Sequence, residues 1–138
     1  MALKFLRAHA VATGQPQRHR VISLMPGYHG ATLQTLGLNG DVAVPPLWGP
    51  MAVSSEKIPA PLTFRAASPE AAAAASLATL EETLERIGSD QVLALVMEPI
   101  GGQSSGVEEA DCDDLLAQLE ATLADTAEAL LTRRVAAV

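Results

Sequence analysis

Large aromatic side chains are scarce in this chain. Two Phe, one Trp and one Tyr make up 3% of its 138 residues. The hydrophobic content reaches 49%, but much of it is alanine, which buries little area per residue. A chain of this length forms one ordinary domain rather than two. We therefore expect a core without large rings, in a monomer that is marginally stable or needs a partner.

Cysteine and clustered basic residues are scarce as well. The single cysteine, Cys112, forms no intramolecular disulfide, which fits a reducing cytoplasm. The nine Lys and Arg residues are scattered among sixteen Asp and Glu. This pattern argues against nucleic-acid binding, because phosphate neutralisation needs clustered cations. No apolar run reaches membrane-spanning length, and no signal-peptide core is present. We expect a soluble, cytoplasmic protein with no nucleic-acid or membrane partner.

Familiar metal and phosphate motifs are also missing. The three histidines, at positions 9, 19 and 29, have no cysteine or acid cluster at metal-ligand spacing, so no metal site is predicted. Ser104 and Ser105 stand in a glycine-rich stretch, but no lysine or helix start follows them at P-loop spacing.

What the sequence does contain is an alternation of helical and strand patterns. Residues 41–67 hold five of the nine prolines and are predicted to be an ordered loop, too irregular for helix or sheet. The order indicates an α/β fold with at least two parallel strands. Two strands are too few for a stable sheet, so the sequence is interpreted as part of something larger. The predicted elements are helices at 2–13, 31–38, 69–87 and from 108 onward, and strands at 21–25 and 92–97.

Polar and aromatic residues follow both predicted strands. Gly27-Tyr28-His29-Gly30 comes after the first, and Glu98 ends the second. Parallel α/β sheets place ligands at the carboxyl ends of their strands. Taken by themselves, however, Tyr28 is more often a core residue and His29 more often a turn residue than a catalytic base. Glu98 is equally consistent with a solvated acid.

Two sequence blocks, in register, resemble one family. Residues 2–40, with Tyr-His-Gly-Ala-Thr at 28–32, resemble the large domain of class III pyridoxal-phosphate-dependent aminotransferases. VLALVMEPIGGQSSG, at 92–106, resembles the same family's later strand, which ends in Glu-Pro and a glycine-rich loop. The likeness covers residues 2–106 almost continuously. The segment from Glu108 resembles, less specifically, the family's C-terminal closing helix.

This resemblance implies a fold and a domain division. The family has the type I aminotransferase architecture, whose large domain is a mostly parallel α/β sheet. The expected fold is a fragment of that domain with few parallel strands, flanking helices and a C-terminal amphipathic helix. We divide the chain into a partial large domain at 1–107 and a closing helix at 108–138.

The resemblance also implies a reaction and a set of site residues. The family transfers an amino group from an amine or ω-amino acid to a keto acid, using pyridoxal 5′-phosphate, in a homodimer with active sites at the subunit interface. On this likeness Tyr28 stacks on the pyridine ring, His29 flanks the same face and Glu98 lies near the cofactor. These three are the candidate cofactor-binding residues, and no catalytic residue is assigned.

Three groups that this chemistry requires have no counterpart in the sequence: the Schiff-base lysine, the aspartate that protonates the pyridine nitrogen and the phosphate-binding turn. The only lysines, Lys4 and Lys57, match no family lysine motif and are expected to be solvated. Stacking on Tyr28 contributes about 1 kcal/mol, whereas micromolar binding needs about 8 kcal/mol. We therefore expect a truncated form that is inactive alone and whose binding of the cofactor is doubtful.

Two alternatives remain open from the sequence. The first is a non-catalytic interaction or oligomerisation protein, whose uncovered apolar surfaces bind a partner. The second is one half of a split aminotransferase, completed by a separate chain that carries the lysine. The expected partners are accordingly a second copy of the chain or another aminotransferase chain.

Overall fold

The computed structural model describes residues 1–40, 48–63, 66–98, 100–101 and 108–109. Within these ranges helices and strands alternate along most of the chain. A single turn of 3-10 helix lies at Gly49–Met51 and another at Ser89–Gln91. The helices are α1 (Ala2–Ala12), α2 (Leu33–Leu36) and α3 (Pro69–Ile87), and the strands are β1 (Arg20–Met25), β2 (Glu56–Pro59), β3 (Val92–Val96), β4 (Ile100–Gly101) and β5 (Glu108–Glu109).

The first three strands form one parallel sheet in the order β2-β1-β3. In the β1–β2 pairing, Ser23 stands opposite Lys57 and Leu24 opposite Ile58. In the β1–β3 pairing, Ile22 stands opposite Leu95. Parallel strands need long crossover connections, and α3 supplies one of them between β2 and β3. The prediction of an α/β fragment with few parallel strands is confirmed.

Strand β2 corrects the prediction for residues 41–67, which were expected to contain neither helix nor sheet. Glu56–Pro59 form a strand inside that range. Proline is tolerated on an outer strand, where the missing N–H removes little of the hydrogen-bond ladder. Pro59 is the last residue of β2, and the amide of Ala60 resumes the pattern by donating to the carbonyl of Met25 at 2.8 Å. A high proline content therefore does not exclude a short strand in this range.

Most of the apolar core lies between the sheet and α3. Its buried members are Ile22, Leu24, Ile58, Leu80 and Ile87. Leu77 and Leu84 of α3 pack against this cluster and are partly buried, so this helix contacts the sheet through its apolar residues. A smaller cluster of Leu6, Ala10 and Leu93 joins α1 to β3.

Helix α3 has the ends that its sequence predicts. The Ser68 hydroxyl accepts a hydrogen bond from the amide of Ala71 at 3.2 Å, and Pro69 occupies the first helical position. Both features stabilise a helix N-terminus. Gly88 follows the last turn with φ of 84°, a backbone region that residues with a Cβ rarely adopt.

The predicted helix at 31–38 is shorter in the structure. Only Leu33–Leu36 are helical, capped by the hydroxyl of Thr32, and no residue of α2 is buried. Leu33 is 39% exposed, whereas Leu38 is buried beyond the helix end. The segment therefore forms a single turn of helix that does not pack into the core.

The predicted helix from residue 108 is wrong at its start. Glu108 and Glu109 form strand β5, which pairs antiparallel with β4. The rest of that predicted helix lies outside the described residues, and the domain division at 107/108 stays a prediction. Across the described ranges, no helix has the length and hydropathy to cross a membrane.

Glu56 takes part in two ion pairs, one between β2 and β1 and one between β2 and α3. Glu56 on β2 contacts Arg20 of β1 at 3.1 Å and Arg86 of α3 at 2.7 Å. The Arg86 hydrogen bond is the main cause that lowers the pKa of the Glu56 carboxyl, with Arg20 adding to it and desolvation acting against it. The carboxylate thus links three elements at one position.

Candidate functional site

The candidate site is a turn at the carboxyl end of β1. It comprises Gly27, Tyr28, His29 and Gly30, and is called the 27–30 turn below. Glu98 lies two residues beyond the end of β3, the neighbouring strand. The amide of Tyr28 donates to the Glu98 carboxylate at 2.7 Å. The structure therefore brings together the two segments that were singled out at the strand ends.

A second segment holds this turn through hydrogen bonds. It comprises Gly37, Leu38, Asn39 and Gly40 and is called the supporting segment. Asn39, which is buried, accepts from the amide of His29 at 2.6 Å and donates to the carbonyl of Gly30 at 3.0 Å. The amide of Gly40 donates to the carbonyl of Gly27 at 2.8 Å. Three hydrogen bonds thus fix the turn on both sides of Tyr28.

Two glycines of this supporting segment allow a close approach of backbones. A Cβ on Gly40 would lie 2.4 Å from the carbonyl oxygen of Leu24 in β1. A Cβ on Gly37 would lie 1.7 Å from the carbonyl oxygen of Val53. Neither contact is possible for a residue with a side chain. No role at the site was assigned to Asn39 or Gly40 from the sequence.

Lys57 contradicts the expectation of a solvated lysine in a loop. It lies on β2, and its side chain is half-buried. Its ammonium donates to the carbonyl of Leu38 at 2.6 Å, to the hydroxyl of Ser23 at 2.8 Å and to the carbonyl of Gly37 at 3.2 Å. Burial lowers the pKa of the Lys57 ammonium. The position follows from the strand register, which places it beside Ser23.

Two serines complete the network around this ammonium. The hydroxyl of Ser23, which is fully buried, donates to the carbonyl of Leu38 at 2.8 Å and contacts the hydroxyl of Ser55 at 2.7 Å. Ser55 donates to the carbonyl of Gly37 at 3.0 Å. Buried polar groups are expected to be hydrogen-bonded in this way. Neither serine was singled out from the sequence, which shows no pattern that would identify them.

A comparison with protein families decides what this arrangement is related to. The profile described as Aminotransferase class-III matches residues 1–132. The chain belongs to the class III aminotransferases. The resemblance that the Tyr-His-Gly-Ala-Thr and Glu-Pro blocks carry is therefore confirmed, and the family's cofactor is pyridoxal phosphate. A search among curated proteins found no match.

Solved transaminase structures share the fold. An amine transaminase from an uncultivated Pseudomonas species, in its pyridoxal-phosphate-bound form, is 28% identical with a TM-score of 0.74 over 86% of this chain and 28% of its own. A thermostable (S)-enantioselective ω-transaminase from Thermomicrobium roseum is 28% identical, with a TM-score of 0.73 over 88% and 28%. The ω-transferase from Vibrio fluvialis JS17 is 23% identical, with a TM-score of 0.73 over 87% and 29%.

The share of each chain that is covered is unequal. The class III chain described here spans under a third of the length of these solved transaminases, while they match most of it. The family match favours an aminotransferase over an unrelated interaction protein.

The residues of this class III chain fit the family cofactor in part. The side chains of Tyr28 and His29 are half-buried at the ligand-binding edge of the sheet, where an aromatic ring can face a flat ligand. The lysines do not fit. Lys4 is exposed on α1, and the three hydrogens of the Lys57 ammonium each have an acceptor. In the described ranges, no group of His, Cys, Asp or Glu could hold a metal ion.

Proposed function

We propose that this chain forms one wall of the cofactor pocket of a class III transaminase. The observation that carries the proposal is the 2.7 Å hydrogen bond from the Tyr28 amide to the Glu98 carboxylate. It joins the two blocks that carry the family likeness at the edge of the sheet where ligands bind. The reaction of the complete enzyme is amino transfer from an amine or ω-amino acid to a keto acid.

Each of the three predicted residues has a distinct part in this proposal. Tyr28 presents its ring to the pyridine ring, and His29 flanks the same face. Glu98 holds the Tyr28 backbone through a charge-assisted hydrogen bond, which is stronger than one between neutral groups. When bound, the cofactor supplies the electron sink that amino transfer requires. The residues of this chain orient that ring.

The 138-residue chain by itself is proposed to lack transaminase turnover. Amino transfer with this cofactor needs a lysine amine at the reacting carbon. The Lys57 ammonium donates to the carbonyl of Leu38 in the supporting segment, and Lys4 is exposed on α1. Covalent attachment and proton movement at the reacting carbon therefore need a lysine that this sequence does not place there.

The first test uses the fact that Tyr28 is the only tyrosine. Replacing tyrosine by 3-fluorotyrosine gives one fluorine signal, which reports on this ring alone. Titration of the full chain with millimolar pyridoxal phosphate is expected to shift that signal progressively and without saturation, since about 1 kcal/mol of stacking corresponds to a dissociation constant of roughly 0.2 M. Inorganic phosphate serves as the control ligand and is expected to leave the signal in place. An unchanged signal with pyridoxal phosphate contradicts the proposed ring contact.

Borohydride reduction followed by peptide mass analysis tests the second part. We expect no cofactor mass on the peptides that contain Lys4 or Lys57. A stoichiometric adduct on Lys57, together with saturable binding, would overturn the proposed inactivity and show that the lysine leaves its network to reach the cofactor. An assay with an aromatic primary amine and pyruvate is expected to show no keto product above the blank.

Assembly is proposed on the same grounds. We propose that the chain pairs with a second copy or with another aminotransferase chain in the cytoplasm, as expected for the family. Sedimentation analysis of the purified chain, alone and mixed with an intact class III transaminase, measures this. A chain that sediments at monomer mass by itself, and still at monomer mass beside the unshifted transaminase in the mixture, contradicts it.

A further inference from the structure

We propose that Lys57 is a positioning residue that sets the 27–30 turn, and hence the Tyr28 ring, through the supporting segment. The inference rests on the proposed cofactor-facing role of that turn. Lys57 does not reach the turn directly among the contacts described above. Its influence passes through two backbone carbonyls to Asn39 and Gly40.

The first step is the saturation of the ammonium. A lysine ammonium has three donors and no acceptor. Lys57 uses them on the carbonyl of Leu38, the carbonyl of Gly37 and the hydroxyl of Ser23, at 2.6, 3.2 and 2.8 Å. Three acceptors in different directions fix the position of the nitrogen. Hydrogen bonds to a charged donor are also stronger than neutral ones.

The second step is the planarity of the peptide bond. The carbonyl of Leu38 and the amide of Asn39 belong to one rigid plane. The carbonyl of Gly37 and the amide of Leu38 belong to the plane before it. By binding both oxygens, Lys57 sets the orientation of two successive peptide planes. The direction in which the chain enters Asn39 is thereby determined.

The third step is the grip of Asn39 and Gly40 on the turn. Asn39 bonds the His29 amide at 2.6 Å and the Gly30 carbonyl at 3.0 Å. Gly40 bonds the Gly27 carbonyl at 2.8 Å. These contacts bracket Tyr28 on both sides. A rotation of the planes that lead into Asn39 would move both sets of contacts, and the ring of Tyr28 with them.

The burial of the network explains why an ammonium suits this position. Ser23 is fully buried, and Leu38 and Gly37 are buried as well. Their carbonyls each take a second hydrogen bond from Ser23 or Ser55. Without the ammonium, each carbonyl keeps one neutral donor, which holds its direction less firmly. The effect of losing Lys57 is therefore expected in orientation more than in overall folding.

The test is the fluorine signal of 3-fluorotyrosine at Tyr28 in the Lys57→Met chain. Methionine keeps an unbranched stem and removes the charge. We expect the far-UV circular dichroism to stay close to that of the unmodified chain while the Tyr28 signal shifts or broadens. The control is Lys4→Met, which removes the same charge from exposed α1 and is expected to leave the signal in place. A folded Lys57→Met chain with an unchanged signal overturns the proposal.

A second variant decides the matter if Lys57→Met does not fold. Ser55→Ala removes one donor to the Gly37 carbonyl and one contact to Ser23. We expect a smaller shift of the Tyr28 signal than in Lys57→Met. No shift in Ser55→Ala, with Lys57→Met unfolded, overturns the positioning role and leaves Lys57 as a stabilising residue only.

Addition of pyridoxal phosphate separates this proposal from the proposed function. If the Tyr28 signal differs between the unmodified and Lys57→Met chains but does not move when the cofactor is added, the positioning of the turn stands and the cofactor contact fails. If the signal moves when the cofactor is added but is the same in the unmodified and Lys57→Met chains, the cofactor contact stands and the positioning role fails. If both proposals are correct, the cofactor-induced shift is reduced or lost in Lys57→Met and kept in Lys4→Met.

Discussion

The substitution Gly37→Ala tests the close approach on which the supporting segment depends. Gly37 has φ of −68° and ψ of −18°, a conformation open to any residue. In such a position, Gly→Ala ordinarily stabilises a protein by about 0.4–1 kcal/mol, since it restricts the unfolded chain. Here the new Cβ would lie 1.7 Å from the carbonyl oxygen of Val53. The contact, and not the backbone conformation, decides the sign.

The expected magnitude follows from the distances. Ordinary van der Waals contact begins near 3.4 Å, so the segments around Gly37 and Val53 must separate by about 1.7 Å. Overpacking of this kind costs about 1–3 kcal/mol. The Gly37 carbonyl accepts from Ser55 at 3.0 Å and from Lys57 at 3.2 Å, and a displacement of that size breaks such bonds. A buried acceptor left without its donors adds about 1–3 kcal/mol. We expect the free energy of unfolding to fall by about 3 kcal/mol.

Urea unfolding at neutral pH, followed by far-UV circular dichroism, measures this change. Gly49→Ala is the matched control, because a Cβ there meets nothing within 4 Å. It is expected to change the free energy of unfolding by less than about 1 kcal/mol. If Gly37→Ala is as stable as Gly49→Ala, the close approach of Gly37 to Val53 is wrong, and the reasoning built on the supporting segment fails with it.

Three further predictions concern stability. Glu56→Gln should lower the free energy of unfolding at pH 7, and the difference should shrink as pH falls below 4.5 toward the lowered pKa of Glu56, where the native carboxyl also protonates; exposed Glu82→Gln is the control, and a loss that persists in acid would contradict the ion pairs. Leu80→Ala should cost about 2–5 kcal/mol in urea unfolding, against less than about 1 kcal/mol for Leu33→Ala, because Leu80 is 2% exposed and Leu33 39%; equal losses would refute the assigned core. Ser68→Ala should lower the thermal midpoint through a loss of about 1 kcal/mol, and an unchanged midpoint would mean that the hydroxyl does not cap α3.

The parts of the fold that sequence predicts are those governed by local chemistry. Ser68, Pro69 and Gly88 define the ends of α3 by their own backbone and capping preferences. The unbroken apolar run at 92–97 indicates a parallel strand, and Val92–Val96 form β3, in which Leu93 is buried and the other residues are half-buried. Strand β2 escaped prediction because its four residues, Glu56–Pro59, carry neither the period nor the length that marks a strand, and prolines surround them.

The candidate site divides in the same way. Tyr28, His29 and Glu98 were identified from blocks of sequence that resemble a family. The other residues that hold the turn, such as Asn39 and Lys57, were not identified, because their roles depend on register and on contacts across the chain. Lys57 reaches its network only because β2 pairs with β1 opposite Ser23. Nothing local to Lys57 distinguishes it from a solvated lysine, and the expectation that it was one proved wrong.

The parallel order of the sheet has a consequence for how the site comes into being. Strand β1 is central, yet its neighbours follow it in the chain, and the hydrogen bond between Tyr28 and Glu98 closes a span of 70 residues. Contacts between residues so far apart in sequence form slowly, because the chain loses loop-closure entropy before the contact stabilises it. During synthesis the turn at Tyr28 emerges early, but its hydrogen bond to Glu98 forms only after β3 has been synthesised. A signal from Tyr28 in its native position therefore reports that nearly the whole described sheet has already assembled.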